Sequence, residues 1–453
     1  MIRNALAATA LLLAAAPAFS QTQQEALDAR YDRALAAGYK ALFLCSAIAN
    51  AEANGTTRTP ESVAQWELAG IQAPLDELVR DLAYDVVRHD NGTVERVSVS
   101  WADGMFPRSA IHLDNDKGCA LNPIGGPPEF YGRPANRPSS RERAVARVTA
   151  PPQELVETFE GAFEGSYGAN ARTTAVLVQR DGGIVGERYT NGFDPATPQR
   201  TWSVAKSIAA TLIGAAVQRG EADVNASAGL GYTRGDPRRA ITIDHLLRMA
   251  SGRYSDTAGN RTDPIYWGGA GVRERAIHWP LINEPGSTYR YANNDTLAAV
   301  QAIMPSLQAN PPAALFAKLG MTHTVAEADW RGQYILSSQA WTTARDLVKM
   351  GQLHLQDGVW NGTRILPEGW VDYVSTPSGP QPDGPFGYGA GFWLMNKSEG
   401  VPSDTFAAFG NRGQYVVIVP SRNVVIVRRG EDPVGARFDI AAFTRDVLAA
   451  LEG

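Results

Sequence analysis

Ser203 and Lys206 are a pair whose residue types and spacing could do chemistry together. They lie in "QRTWSVAKSIAATLIGAAVQRG", residues 199–220, where the apolar pattern predicts a helix that ends near Gly220. Residues three apart share a helix face, so the two side chains should point the same way. The chain has thirty-six arginines and six lysines, and a buried lysine, unlike an arginine, can lose its proton. By itself the pair fits a serine nucleophile with a lysine base and a helix cap beside a surface lysine equally well.

Two further stretches could complete such a site. "PGSTYRYANND" makes a turn and carries Tyr291 and Asn293 just before another apolar helix, although most tyrosines simply pack. "FGNRGQYVVIVP" is a glycine-flanked entry into a strand. It is typical of a bulge before an edge strand, but it could also aim a backbone N–H at an oxyanion, because glycine permits close approach to the main chain.

Together these stretches resemble the serine β-lactamase and penicillin-binding-protein superfamily, in which Ser-x-x-Lys at a helix start is the nucleophile motif. Here the motif is "SVAKS", Tyr-Ala-Asn follows 88 residues later, and a glycine-rich strand comes near the end. This order is similar to the class C β-lactamase-like branch, with family VIII esterases and 6-aminohexanoate-dimer hydrolase. "ITIDHLLRMASG", "TTARDLVKMGQLHLQDGVWNGTRILPEGW" and "FGYGAGFWL" add to the resemblance, which covers roughly residues 155 to 450.

The resemblance implies a role for each matching residue. Ser203 would be the nucleophile, and Lys206 and Tyr291 would share the general-base work, with Tyr291 ionised or hydrogen-bonded beside the lysine cation. The oxyanion hole would consist of the N–H groups of Ser203 and Gln414. The residues implied for oxyanion and substrate binding are Asn293, Asn411, Gly413 and Gln414. No cofactor and no metal are implied.

One departure from the family bears on the substrate. Where β-lactamases and penicillin-binding proteins have Lys-Thr-Gly, this chain has Asn411, Arg412 and Gly413. That lysine helps to receive the β-lactam carboxylate, and Arg412 could replace its charge only in part. The expectation is therefore an exported serine hydrolase that forms an acyl-enzyme on a small ester or amide. A D-amino-acid peptidase or carboxypeptidase, a weak β-lactamase, or a non-catalytic binding scaffold are the alternatives.

A Ser-His-Asp triad is the rival serine mechanism. His245, in "IDHLLRM", is its best candidate, but it lies at an apolar helix start that is typical of a structural histidine. The chain contains no Gly-x-Ser-x-Gly sequence. We therefore expect no triad. Tyr254, Tyr266 and Trp393 are candidate pocket aromatics, although packing in the core or in a loop is the commoner explanation for each.

Composition narrows the class of protein. The chain is 44% hydrophobic and 20% charged, which is ordinary for a globular protein with a sizeable core. A net charge of −5 without a basic stripe argues against a nucleic-acid partner. Six scattered histidines argue against a metal site.

The N-terminus predicts export. "MIRNALAATALLLAAAPAFSQ" has a basic start, an apolar run and small residues, which indicates a secretory signal in residues 1–20 with cleavage after Ser20. An uncleaved anchor is the alternative, but the run is short for a membrane span. No later segment reaches roughly 18 uninterrupted apolar residues, so the mature chain should lack a transmembrane segment and be secreted or periplasmic. In such a protein the two cysteines, Cys45 and Cys119, favour a disulfide over a catalytic thiol.

The elements that must position the site divide the chain into two parts. Residues 21–122 predict a small α+β domain, with an amphipathic helix over 22–53, a helix near 62–80 and a hairpin across Asn91-Gly92. Residues 123–149 are rich in proline and glycine and predict a linker. Residues 150–453 begin and end with strands around a helical middle. The fold class is α+β, with an antiparallel sheet assembled from both ends, flanked by helices and a helical subdomain.

Overall fold

The structure, a computed structural model, describes residues 3–128, 147–254 and 262–452. Its N-terminal part packs three helices on a four-stranded antiparallel sheet of order β1-β2-β3-β4. The predicted hairpin is confirmed, since β1 pairs with β2. These elements are α1 (Arg3–Ala53), α2 (Pro60–Gln65), α3 (Leu75–Asp81), β1 (Tyr84–Arg88), β2 (Val94–Val99), β3 (Arg108–Asp114) and β4 (Gly118–Leu121).

Helix α1 differs from the amphipathic helix that was expected. Residues 34–51 are buried on every side, whereas residues 22–32 are mostly exposed. The buried segment consists mainly of alanine and other apolar residues and packs against β2, β3, β4 and α3, which accounts for its lack of a polar face. By length and composition Thr22–Ala53 could cross a membrane, but its most apolar window is entirely buried within the protein.

A disulfide joins α1 to the sheet. Cys45 and Cys119 are bonded, with Cα atoms 6.2 Å apart, so the predicted pairing is confirmed. The single helix predicted near 62–80 is instead two short helices, α2 and α3. Residues 129–146, most of the predicted linker, lie outside the described residues, and the boundary near 150 stays a prediction.

The second part contains a seven-stranded antiparallel sheet of order β12-β13-β14-β15-β16-β5-β6. Because β16, near the C-terminus, pairs with β5, the sheet is assembled from both ends of this part, as predicted. Two short sheets, β7-β9-β8 and β10-β11, lie beside it. The strands are β5 (Thr173–Arg180), β6 (Gly183–Tyr189), β7 (Gln199–Arg200), β8 (Val325–Ala326), β9 (Ala340–Thr342), β10 (Val359–Trp360), β11 (Thr363–Arg364), β12 (Gly387–Tyr388), β13 (Trp393–Leu394), β14 (Phe406–Gly410), β15 (Gln414–Val419) and β16 (Val424–Gly430).

Helices cover both faces of the large sheet. On one face, the first and last helices of this part enclose an apolar core, and on the other the Ser203 helix and α12 enclose a larger one. Between them lies the helical region that was expected. The helices are α4 (Gln153–Glu164), α5 (Val204–Gln218), α6 (Ile243–Leu247), α7 (Asp263–Tyr266), α8 (Val272–Arg275), α9 (Asn293–Ala302), α10 (Met304–Ala309), α11 (Pro312–Lys318), α12 (Ala344–Leu355), α13 (Trp370–Ser375) and α14 (Ile440–Ala450).

The N-terminal core continues into the second part. Tyr39 and Phe43 of α1 share one apolar cluster with Trp202 and Trp267. Between them the buried Arg200 guanidinium lies 4.8 Å from the Phe43 ring centroid and 4.5 Å from that of Trp202. Since Trp202 directly precedes Ser203, α1 packs against the backbone that presents Ser203.

Candidate active site

Ser203 stands at the N-terminal end of α5. Thr201 N donates to the Ala340 carbonyl at 2.8 Å, which fastens this turn to β9. Trp202 adopts a φ of +49°, a left-handed conformation that costs a bulky residue on the order of 1–3 kcal/mol. The helix end places the positive end of the peptide dipoles at Ser203, where they favour a developing negative charge.

Lys206 lies one turn further into α5 and is only 1% exposed. Its Nζ donates to Ser203 Oγ at 3.0 Å, to Asn293 Oδ1 at 2.6 Å and to the Ser337 carbonyl at 3.0 Å. Burial lowers the pKa of Lys206 to about 7. A large fraction of the lysine is therefore a neutral amine near neutral pH, which is the form that can accept a proton.

Tyr291 covers the other side of this pair. The Lys206 Nζ lies over its ring, 4.9 Å from the centroid. Burial raises the pKa of Tyr291 above its usual value, and the neighbouring Ser203 side chain opposes this only in part. The side chain is therefore a neutral phenol near pH 7, and not the ionised form that was one of the two expectations.

Asn293 begins α9 and joins this helix to Lys206. A buried ion pair holds the start of α9 in place, since Arg253 Nη2 donates to Asp295 Oδ1 at 2.8 Å. Ser251 Oγ donates to the same oxygen at 2.8 Å. The structure thus brings Ser203, Lys206, Tyr291 and Asn293 together.

The glycine-rich hairpin approaches Ser203 through Gly410, three residues before the expected Gly413. Gly410, the last residue of β14, faces Ser203 so closely that a Cβ there would lie 2.4 Å from the Thr201 carbonyl and 3.2 Å from Ser203 N. Gly410 and Asn411 line the pocket in front of Ser203, whereas Gly413 and Gln414 do not.

Gly413 and Gln414 have structural partners instead. The Gly413 carbonyl accepts from Arg428 Nη1 at 2.8 Å. The Gln414 side chain is fully buried between Arg429 and the Gly430 carbonyl. Neither residue lines the pocket, although Gln414 pairs directly with Gly410 across the hairpin. Their predicted role in oxyanion and substrate binding therefore stays a prediction.

Arg412 also points away from the pocket. Its Nε donates to Glu431 Oε2 at 2.6 Å, and it is only 5% exposed. Its Nη2 donates to the carbonyls of Trp66 and Ala69 at 2.8 and 2.9 Å. Arg412 therefore does not replace the missing lysine at the substrate.

The pocket in front of Ser203 has a volume of about 580 Å³. It is mostly aromatic, and no acidic, basic or histidine side chain from the described ranges lines it. Of the candidate aromatics, Tyr266 and Trp393 line it, whereas Tyr254 is 45% exposed elsewhere. The lining residues are Gln72, Trp202, Ser203, Tyr266, Trp267, Tyr291, Asn293, Ser338, Trp393, Phe409, Gly410, Asn411, Tyr415 and Val434.

His245 has a capping role. The backbone N–H of Thr242 donates to its Nδ1 at 3.2 Å, while its own N–H donates to Thr242 Oγ1. It does not line the pocket with Ser203. In residues 22–128, 147–254 and 262–452, no group of three or more His, Cys, Asp or Glu side chains could hold a metal ion.

Eight of the fourteen lining residues were not named from the sequence, among them Trp202, Gly410 and Gln72. Trp202 directly precedes Ser203 and Gly410 directly precedes Asn411, so the two motifs could have indicated them. Gln72 comes from the N-terminal part, and no local pattern in "AGIQAPLDE" distinguishes it.

Comparison with known proteins agrees with this architecture. A family model described as Beta-lactamase matches residues 156–450. The 6-aminohexanoate-dimer hydrolase of Paenarthrobacter ureafaciens is 23% identical over 306 residues, which cover 58% of this chain and 73% of that protein.

Two solved structures share the fold. One is a Bacillus anthracis protein proposed to be a 6-aminohexanoate-dimer hydrolase, with a TM-score of 0.55 and 20% identity over 68% of this chain and 88% of that one. The other is a family VIII carboxylesterase, with a TM-score of 0.51 and 15% identity over 68% of this chain and all of that one.

Proposed function

The chain belongs to the beta-lactamase family, and we propose that it is a serine hydrolase that forms an acyl-enzyme on Ser203. One observation supports this most strongly. The Nζ of a fully buried lysine, with its pKa lowered to about 7, lies 3.0 Å from Ser203 Oγ at the wall of a 580 Å³ pocket. A serine hydroxyl is a weak nucleophile and needs such an adjacent base.

In the proposed reaction, neutral Lys206 takes the proton of Ser203 Oγ while the oxygen attacks the substrate carbonyl. The N–H groups of Ser203 and Asn411 stabilise the oxyanion, because Gly410 brings this backbone against the start of α5. Tyr291, a neutral phenol that lines the pocket beside Ser203, passes a proton to the leaving group. Water then releases the acyl group by the reverse sequence.

The substrate is a small ester or amide. One similar protein is named a 6-aminohexanoate-dimer hydrolase, and an amide is the bond that would join two amino acids in such a dimer; another is named a family VIII carboxylesterase. Among the described residues that line the pocket there is no cation for the carboxylate of a β-lactam or a D-amino-acid peptide, and Arg412 is held by Glu431. A peptidase or β-lactamase function is therefore the weaker alternative.

Export is part of the proposal. The apolar N-terminal segment has the pattern of a secretory signal, and the Cys45–Cys119 disulfide suits an oxidising compartment. We expect mature protein from the periplasm or medium to begin at Gln21. Terminal sequencing that finds Met1 retained would contradict this step.

The test of the reaction is a substrate screen with matched proteins. Wild type should hydrolyse short-chain p-nitrophenyl esters or a linear amide dimer and should be labelled by a fluorophosphonate. Ser203→Ala should lose both while keeping its thermal unfolding transition, and Ser207→Ala, one turn along α5, serves as the control. A folded wild type that neither turns over nor labels would support the binding scaffold, and fast nitrocefin hydrolysis would support the β-lactamase.

A further inference from the structure

We propose that the N-terminal part supplies a substrate-binding residue, Gln72, and that the site it completes selects uncharged substrates carrying a hydrogen-bond acceptor. Gln72 lines the same pocket as Ser203, although 130 residues separate them along the chain. This inference rests on the proposed hydrolase function and adds the substrate class to it.

The segment around Gln72 is fastened to the hairpins that border the pocket. Arg412 donates to three carbonyls of residues 66–70, including that of Gly70 at 3.1 Å. Val434 N donates to the Gly70 carbonyl at 2.9 Å. Gly70 has a φ of +68°, and a Cβ there would lie 2.8 Å from Pro433 Cβ. These bonds and contacts hold residues 66–70, just before Gln72, against Arg412, Pro433 and Val434.

The backbone of Gln72 is held by hydrogen bonds around it, whereas its side-chain Nε2 has no partner in the part of the chain that the structure describes. Its carbonyl accepts from Leu75 N at 3.0 Å at the start of α3, and Ile71 N donates to Asp76 Oδ1 at 3.1 Å. Its side-chain Nε2 is buried and has no hydrogen-bond partner among the described residues. An unpaired buried N–H group is unfavourable, so a substrate oxygen that accepts from it strengthens substrate binding.

The rest of the pocket determines the charge of that substrate. The lining holds aromatic side chains such as Phe409, Trp393 and Tyr415, and no charged one in the described part of the chain. A carboxylate brought there loses its hydration without gaining a cation. A neutral carbonyl has a much smaller desolvation cost and can accept a hydrogen bond from Gln72 Nε2. The site therefore takes a neutral ester or amide with an apolar body and a second carbonyl.

Three esters with a common leaving group test this directly. They are p-nitrophenyl pentanoate, p-nitrophenyl 4-oxopentanoate and mono-p-nitrophenyl succinate, which are apolar, neutral with an acceptor, and anionic. Wild type should prefer the oxo ester to the pentanoate by about three- to tenfold in kcat/KM, the range expected for one neutral hydrogen bond. The succinate should be the poorest of the three.

Gln72→Leu should abolish the preference for the oxo ester, mainly through KM, so that the oxo ester and the pentanoate are hydrolysed with similar kcat/KM. Gln72→Lys should raise the relative rate on the succinate at least tenfold. Gln65→Leu, an exposed glutamine of the same part, should change neither ratio.

The outcomes separate this inference from the proposed function. Turnover with the same oxo-to-pentanoate ratio in Gln72→Leu and wild type would overturn the inference and leave the hydrolase intact. A wild type that prefers the succinate would also overturn it. No turnover of any of the three esters, together with no fluorophosphonate labelling, would overturn both.

Discussion

The Lys206 Nζ lies over the face of the Tyr291 ring, 4.9 Å from its centroid, while it donates to Ser203 Oγ. This arrangement assigns different work to the two residues. Burial raises the pKa of the phenol and lowers that of the amine to about 7. Near neutral pH the lysine is therefore the group that can accept the serine proton, and the tyrosine is the group that can donate one.

The first prediction concerns pH. Because the protonated lysine cannot act as a base, kcat/KM should rise about tenfold per pH unit below pH 7 and level off above it. Lys206→Arg should lower kcat/KM by about 10³-fold or more, since arginine stays protonated. Lys117→Arg, at a side chain that is 61% exposed, is the control and should match wild type. A profile flat from pH 5 to 8 would exclude Lys206 as the base.

The second prediction compares two neighbouring tyrosines. Tyr291→Phe should lower kcat/KM by about 10²-fold, because it removes one proton donor from the reaction. The Tyr289 hydroxyl is buried without a hydrogen-bond partner among the described residues, so Tyr289→Phe should keep full activity. It should also raise the free energy of urea unfolding by about 1 kcal/mol. Equal activity losses in both variants would mean that packing, and not the Tyr291 hydroxyl, matters.

The third prediction tests the backbone at the end of β14. Gly410→Ala puts a Cβ 2.4 Å from the Thr201 carbonyl, so the hairpin must move away from Ser203. The oxyanion donors then separate, and kcat should fall by about 10²-fold with a smaller effect on KM. Gly235→Ala, where a Cβ meets nothing within 4 Å, is the matched control. Full activity in Gly410→Ala would remove this hairpin from the oxyanion hole.

The part of the site that lies on single helices could be predicted from the sequence. Ser203 and Lys206 lie one turn apart on one helix, and Asn293 starts another, so spacing alone puts their side chains near helix ends. The disulfide could also be predicted, because the chain has only two cysteines. The strands at both ends of the second part could be predicted from their own runs of apolar residues.

The residues that were missed depend on tertiary contacts. Which glycine of "FGNRGQ" meets Ser203 is decided by the Thr201 backbone, some 200 residues earlier. Gln72 lines the pocket on a segment that Arg412 and Val434 bind through the carbonyls of residues 66–70. The sequence around Gly410 and around Gln72 contains no periodic pattern or motif that would indicate these long-range contacts.

The fourth prediction concerns the disulfide. Cys45 and Cys119 are 74 residues apart, and closing a loop of that length removes about 4 kcal/mol worth of entropy from the unfolded chain. Reductant should therefore lower the free energy of urea unfolding by an amount of this order. The double variant Cys45→Ala, Cys119→Ala should be equally weakened and insensitive to reductant. Identical curves with and without reductant for wild type would contradict the prediction.

The last prediction separates two roles for Arg412. If it clamps the N-terminal segment, Arg412→Met should cost about 3–5 kcal/mol of unfolding free energy, because Glu431 is left buried without its partner. Adding Glu431→Gln should recover part of that loss by removing the charge. The succinate-to-pentanoate ratio of kcat/KM should stay within twofold in both variants, since the guanidinium does not line the pocket. If Arg412 received substrate carboxylates, the ratio would fall at least tenfold while stability changed little, and the clamp would be wrong.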